Sequence, residues 1–474
     1  NMADDVYVMP EEYADAETVT GHSFNWGGVL HLNRLFKNDP LPINIGVSYT
    51  KSDNFQVTSI RRDLYGTPLD NPSGETKEYG LTLSTKDNKY SVRVTKFETS
   101  MKGVNAGLSD MNIGGILANG LNWRNVFLYE LGGYVYSGRG QPSYRNRWTN
   151  AYPKYVQDAN GNSYAEGSAE YTAGMAAATA RMDEAIRGWN EIQKYLDTKG
   201  FFQAWNFTPT GPDTALVDRS TYISDPVKYA PTENTVYSYA PSQPQGFTVT
   251  ADTLSKGYEF EFIANPTPNW RISFNAAKTD ASINNVGGAS LTEFVEYMNS
   301  KMMDTSSPTG LTAAGEVPRW GGAGSCIGSS VWAPWYAGYQ KLKLKEGTTA
   351  DEVREWRFNV ITNYSFREGF LKGTGIGAAY RWQDKVVLGY PMTSDGLYDL
   401  GKPYCGPTEG AMDAWLSYER KLTQKINWKI QLNVRNIFAK NELIPIYIQP
   451  DGQTWATARV APAREWSITN TFSY

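Results

Sequence analysis

The chain has 474 residues, a formal net charge of −4, two cysteines and two histidines. Without a basic excess, nucleic acid is not an expected partner. With no Cys-x-x-Cys or His-x-x-x-His spacing, neither a protein-built zinc site nor any other cofactor is expected. Mean hydropathy is −0.49 and no window approaches 18 uninterrupted apolar residues, which excludes a spanning helix but not a membrane β-barrel, whose strands are only half apolar.

Residues 1–22 are acidic and irregular, and lack the basic and apolar regions of a signal peptide. Either an export signal has been removed or the chain begins inside a larger precursor. Residues 24–36 and 41–50 read as strands around an Asn38-Asp39-Pro40 turn, and 52–76 as a loop rich in turn formers. Residues 77–86 and 89–98 form a clear hairpin, with Leu81 and Leu83 facing Val92 and Val94 around Asp87-Asn88. The connection over 100–246 is too long for an ordinary loop. It holds a helix at 174–199, marked by Met175, Met182, Ile186, Trp189, Ile192 and Leu196 at helical spacing and stopped by Gly200. Residues 121–136 fit either strand or helix.

The hairpin over 257–280 shows the pattern best. Tyr258, Phe260 and Phe262 alternate with Glu259 and Glu261, and Trp270, Ile272 and Phe274 alternate with Arg271, Ser273 and Asn275. Each strand therefore has an aromatic face and a polar face, with Pro266 and Pro268 at the turn. A soluble sandwich packs mostly Val, Ile and Leu between its sheets, whereas bulky aromatics at strand ends opposite charges suit a membrane wall with interfacial girdles and a polar lumen. Residues 281–353 form a second long excursion with a helix at 291–303. Hairpins return over 356–390 and 412–438, and a last strand runs over 460–474. Short turns at Asp87, Pro266, Gly369 and Gln424 alternate with very long connections, the rhythm of a barrel with short periplasmic turns and long extracellular loops. The expected fold is an all-β transmembrane antiparallel β-barrel portion over 23–474, with inserts 100–246 and 281–353 on the outside. Phe260, Ile272, Ile430, Leu432, Val434 and Ile468 are expected on the lipid face, and Glu259, Glu261, Arg271 and Arg435 on the lumen face.

The two glutamates of the 257–280 hairpin sit about 6.6 Å apart along a strand, within the range of glycosidase carboxylates. Lumen lining, with Arg271 paired across the hairpin, accounts for them better, and no enzyme activity is expected. Three glycines in the 373–379 stretch lack the G-x-G-x-x-G spacing and a following helix, so they mark close packing against the wall rather than phosphate binding. Trp189, Trp205 and Tyr222 in the longer insert, and Trp320, Trp332, Trp335 and Tyr336 in the other, suit either a stacked sugar ring or the small cores that large loops need. Cys326 and Cys405 fall in connections at one end of the barrel, in an oxidising setting, and are expected to form a disulfide.

The stretches GYEFEFIANPTPNWRISFNAAKT at 257–279, LKGTGIGAAYRWQDK at 371–385, NVRNIFAKNELIP at 433–445 and the closing AREWSITNTFSY resemble barrel segments of TonB-dependent outer-membrane transporters. The resemblance covers most of 18–99 and 245–474. It implies a place in the bacterial outer membrane, contact with membrane lipids, and energy-coupled uptake of a scarce solute. An oligosaccharide is favoured by the loop aromatics, with a ferric siderophore or corrinoid next. It implies the TonB energy-coupling complex as partner, a surface lipoprotein as a further one, and Tyr474 as the terminal aromatic read during barrel assembly. Transporters of this class have about 22 strands around a plug, and roughly eleven are legible here. An N-terminal plug and barrel half, from the same precursor or as a separate chain, is therefore expected. The competing reading is a structural or adhesive barrel that holds large loops for partner proteins. A lipase-type barrel is disfavoured, because of His22 and His31 only His31 lies in a strand.

Overall fold

The computed structural model describes residues 20–106, 152–207, 242–318, 326–348 and 353–474 apart from 396, 450, 452 and 453, together with Ala350 and four short strand pieces between 135 and 239. Most of 121–136 lies outside the described residues. The frame is one antiparallel sheet of eleven strands in which each strand pairs with its predecessor in sequence. The strands are β1 (Phe24–His31), β2 (Ile43–Phe55), β3 (Ser73–Thr85), β4 (Tyr90–Asn105), β5 (Thr250–Thr267) and β6 (Trp270–Asn284), then β7 (Trp356–Ser365), β8 (Thr374–Gln383), β9 (Glu409–Lys421), β10 (Asn427–Arg435) and β11 (Glu465–Ser473). The two outer strands, β1 and β11, are exposed throughout, and with an odd number of antiparallel strands they run in the same direction. No helix among the described residues is long and apolar enough to cross a membrane.

Register extends the alternation of single strands into rows across the sheet. One apolar row runs Ile45, Leu83, Val92, Phe262, Phe274, Val360, Tyr380, Met412. Another runs Ile376, Leu416, Leu432, Ile468. The residues between them form polar rows, such as Thr82, Arg93, Glu261, Asn275, Asn359, Arg381. A slip of one residue in any pair would invert that strand's faces, so the agreement over so many strands fixes the register. On the apolar face the rows change character near the long-loop end. There Tyr49, Tyr79, Lys96, Tyr258, Lys278 and Trp356 stand side by side, with the Lys278 ammonium 5.6 Å from the Trp356 ring centre. Amphipathic aromatics and long lysines are the side chains that suit a membrane–water boundary. Beyond this row come paired charges, Lys51–Glu75 at 2.8 Å and Lys77–Glu75 at 2.6 Å. Both β3 and β4 extend past the strand ends expected at 77 and 98.

All short connections lie at one end of the sheet, at 32–42, 86–89, 268–269, 366–373 and 422–426, and all long ones at the other. The expected sorting by length is thus present. The first strand stops earlier than expected, because Leu32–Leu35 forms a 3-10 turn. Asn88 takes a left-handed backbone (φ 53°) in the 86–89 turn, as its short polar side chain allows. Pro266 is not the turn residue. It lies within β5, where the register shifts between Trp270 and Ile272, and a bulge is where a strand tolerates a residue without an N–H. The expected strand over 374–390 stops at Gln383, and the one expected over 460–474 begins at Glu465; two separate ribbons stand at the long-loop end, Val387–Gly389 with Tyr404–Cys405 and Leu443–Ile448 with Trp455–Val460.

Leu432 sits mid-strand between Leu416 and Ile468, and its neighbour Asn433 lies between Trp415 and Ser467. If the apolar face meets lipid, Leu432→Arg should cost about 2–4 kcal/mol of barrel stability, as cations near the midplane do, and Asn433→Arg far less. Urea unfolding of the two variants in detergent or vesicles reads the difference, and equal penalties would contradict the assignment of faces.

Candidate functional site

The long connections fold together at one end of the sheet. In 106–249, α1 (Ala169–Thr198) begins at Ser168, whose hydroxyl accepts the Tyr171 N–H, an N-cap of the usual kind. Its buried stripe is Met182, Ala185, Trp189, Ile192 and Leu196, at the three- and four-residue spacing the sequence shows. The helix starts earlier than expected, and Gly174 lets it: a Cβ there would meet the Tyr155 carbonyl at 1.6 Å. A short turn, α2 (Phe201–Ala204), follows. The 285–355 connection supplies α3 (Gly288–Met302) and α4 (Ala333–Leu344), the latter entered through a π-helical turn at Gly328–Trp332. The 56–72 connection adds Leu64. One hydrophobic cluster joins these three, with Leu64, Trp189, Phe201, Trp205, Phe294 and Trp332 at its centre.

Polar groups then pin loop to loop. The Trp189 indole donates to the Ala314 carbonyl at 3.0 Å and that of Trp205 to the Leu64 carbonyl at 2.9 Å. Buried Glu316 accepts from Arg181 at 2.8 Å and from Thr309 at 2.7 Å. Asp63 holds the Tyr65 and Thr67 N–H groups and takes the Ser290 hydroxyl in the first turn of α3, a carboxylate at a helix N-terminus supplied by another loop. Tyr195 stacks on Tyr297 with ring centres 3.7 Å apart and meets the Tyr65 hydroxyl at 2.8 Å. Burial pushes the Tyr297 hydroxyl up to about 12, helped by the charge of Glu191. Burial also raises Tyr65, with its bond to Tyr195 adding to the shift. Both therefore stay neutral hydrogen-bonding groups. Arg61, only 5% exposed, donates to the Gly103 carbonyl at 2.7 Å and the Asn105 side chain at 2.8 Å, tying 56–72 to the bulged end of β4.

This packing uses several of the loop aromatics as core. Trp189, Trp205 and Trp332 are fully buried, Trp335 nearly so, and Tyr336 stacks on Trp332 at 6.1 Å. The flat faces of the four tryptophans are covered by protein, while Tyr336 is half-buried. Tyr222 and Trp320 lie outside the described residues. The disulfide is not formed either: both cysteines are free. Cys326 is inside the loop core, 3.0 Å from the Ser329 hydroxyl, while Cys405 is exposed in a rim ribbon beside Val387. Adjacency of connections around a rim did not bring the thiols together, because one of them turned inward to fill the core.

Two rim clusters carry no strong sequence signal. Glu409, at the loop end of β9, is bound by Arg354 from the neighbouring connection and by Arg459 of the last ribbon at 2.5 Å. Lys345 lies 4.9 Å from the Tyr398 ring centre and 5.6 Å from that of Tyr390, and Lys341 lies 6.0 Å from Tyr398. All four side chains are half-exposed. Their spacing along the chain hides the cluster, since α4 and the 384–408 connection meet only in the fold.

On the polar face, Glu259 stands beside Thr95 and Ala277, and Glu261 beside Arg93 and Asn275. Across the hairpin the two glutamates face Ala277 and Asn275, so Arg271 is not the partner of either. Arg435 reaches Glu465 at 3.9 Å. The glycines of 373–379 do admit a close neighbour. Trp415 lies across Gly377, where a Cβ would come within 2.2 Å of the indole, and donates to Asn363 at 3.1 Å. Tyr474 is the exposed end of the chain, 96% accessible.

No family model matches the sequence, and no curated protein does. The chain is similar in structure to outer-membrane siderophore receptors. Against the ferripyoverdine receptor of Pseudomonas aeruginosa, 95% of this chain aligns with 32% of the other at 13% identity and a TM-score of 0.39. Against the ferric-catecholate import receptor Fiu of E. coli K12, the figures are 100%, 39%, 12% and 0.36. For the ferric yersiniabactin uptake receptor FyuA of Yersinia pestis they are 95%, 36%, 9% and 0.37. The chain spans about a third of the length of these receptors.

Trp205 is fully buried at the junction of two loops, so Trp205→Ala should remove about 3–5 kcal/mol from this core. Hydrogen exchange should show α1 and α3 losing protection while β5 and β6 keep theirs. Loss of protection in the strands as well would mean that the loops and the sheet fold as one unit.

Proposed function

We propose that this chain is the C-terminal barrel portion of a TonB-dependent outer-membrane receptor that takes up a ferric chelate. The observation that carries the reading is the sheet: apolar rows on one face, polar rows on the other, and connections sorted by length between its two ends. A soluble sandwich has no need of that sorting, whereas a barrel wall with one end outside the cell does. An N-terminal plug and barrel half, from the same precursor or a separate chain, completes the wall between β1 and β11. The TonB complex supplies the energy, and membrane lipids cover the apolar rows. A surface lipoprotein could seat on the loop cap.

For the substrate, burial of Trp189, Trp205, Trp332 and Trp335 weakens the case for an oligosaccharide. What the rim offers instead is the pair of lysines flanked by Tyr390 and Tyr398, which suits an anionic ligand with aromatic rings. Ferric siderophores are of that chemistry, and the receptors named above are described as taking up or binding them. The alternative, an adhesive barrel presenting its loop cap to proteins, draws support from the cap's well-packed core.

Accumulation of radiolabelled ferric siderophores by iron-starved cells separates the two. Deleting the gene should abolish uptake of one chelate, and a protonophore should do the same in the parent strain. Lys341→Glu with Lys345→Glu should raise the half-saturating concentration while leaving the protein folded in the membrane. Unchanged uptake of every ferric chelate in the deletion strain would overturn the transport reading.

A further inference from the structure

The short-turn end of the sheet is polar at two of its connections; 32–42 carries Leu35 and Phe36 exposed, and two adjacent connections further along the sheet are apolar as well. The 86–89 turn is Lys-Asp-Asn-Lys and the 268–269 turn is Pro-Asn. The 366–373 turn between β7 and β8, by contrast, holds Phe370 at 101% exposure and Leu371 at 43%, and the 422–426 turn between β9 and β10 holds Leu422 at 47%. A fully solvated phenylalanine on a tip gains nothing from the fold that bears it and is stabilised by burial elsewhere. The turn that bears it is not loose. The Gly373 N–H donates to the Phe366 carbonyl at 2.9 Å and the Phe366 N–H to the Thr374 carbonyl at 2.8 Å. Gly369 and Gly373 take the left-handed backbone a tight reversal needs. Arg367 braces the neighbouring turn through the Pro268 carbonyl at 3.2 Å.

What surrounds Phe370 points to its occupant. At this end the apolar face carries Tyr364, Phe366, Tyr418, Trp428 and Phe472, continuous with the rows that run up the sheet. The Trp428 indole is held toward Asn470 at 3.1 Å and that of Trp270 toward Thr362 at 2.9 Å. The two apolar turns and the adjoining end of β9 also carry the cations Arg367, Lys372, Arg420, Lys421 and Lys425 against the acids Glu368 and Glu419. An aromatic tip continuous with a lipid-facing girdle and flanked by excess positive charge matches an anionic lipid interface, with rings at the acyl boundary and cations at the phosphates.

Resting on the membrane-wall reading above, we propose that the 366–373 turn, with Leu422 beside it, inserts Phe370 and Leu371 into the anionic phospholipid leaflet that borders the short-turn end of the barrel. The turn anchors that end at a fixed depth and holds β7 to β10 upright where the connections are shortest.

The test uses nitroxide labels on the full protein, purified from membranes and reconstituted in vesicles of phosphatidylethanolamine with phosphatidylglycerol. Cys405→Ser serves as background, since Cys326 is buried. Labels at Phe370→Cys, Leu432→Cys and Asn88→Cys are compared for collision with oxygen, which partitions into lipid, and with a water-soluble nickel chelate. Position 432 should be oxygen-accessible and position 88 nickel-accessible. Position 370 should follow 432, and should shift toward nickel when phosphatidylglycerol is omitted or when Arg367→Gln and Lys372→Gln are introduced. Nickel accessibility at 370 equal to that at 88 would overturn the proposal, and so would low accessibility to both reagents, which would mean that protein covers the tip. Insensitivity to phosphatidylglycerol would overturn the anionic headgroup part. If 432 itself is nickel-accessible, the membrane-wall reading fails, a result distinct from failure at 370 alone.

Discussion

In an apolar medium a backbone N–H or C=O without a partner has no water to fall back on, and each one left over costs several kcal/mol. A strand that crosses such a medium must give all its polar groups to its neighbours, so the ladder is what every other feature depends on. It forces consecutive strands to pair, which yields the eleven-strand meander. It forces side chains to alternate between the two surrounding media, which yields the apolar and polar rows. Among the described residues, β1 and β11 each pair on one side only.

The same constraint relaxes beyond the ends of the strands, and the chain uses the two ends differently. At one end it reverses in a few residues. At the other it builds a second folded body, whose core draws on three connections that are far apart in sequence. The cap therefore adds its own stability without burdening the ladder. Its helices pack by ordinary hydrophobic burial, its tryptophans find carbonyl partners, and Asp63, Glu316 and Arg61 take up the polar groups that the packing encloses. Glu409 and the lysine–tyrosine cluster extend the connectivity to the remaining rim loops.

The wall was more legible than the cap, for a physical reason. Alternation is a local property, so Trp428, Ile430, Leu432 and Val434 announce a strand and its face without any tertiary knowledge. Helical spacing is local too, and it located α1 and α3. Contacts between loops are not local. Nothing in the spacing of Trp189, Trp205 and Trp332 says that they face each other rather than a ligand, and nothing near Cys326 says that it turns inward. Trp415 is an intermediate case. Its place on the polar face follows from alternation, and the bare glycines of β8 hint at a close neighbour, but only the register shows that Gly377 and Trp415 are partners.

The central claim is that the wall crosses a membrane with its long connections outside the cell. Epitope insertion reads it most directly. Gly161 lies in an exposed turn of the cap where an added side chain meets nothing within 4 Å, and Gln424 is exposed in a turn at the opposite end. With a tag at each position in separate strains, antibody labelling of intact cells should detect the tag at Gly161, and the tag at Gln424 only after the outer membrane is opened. Labelling at Gln424 alone would reverse the topology, and equal labelling of both in intact cells would contradict a membrane-crossing wall.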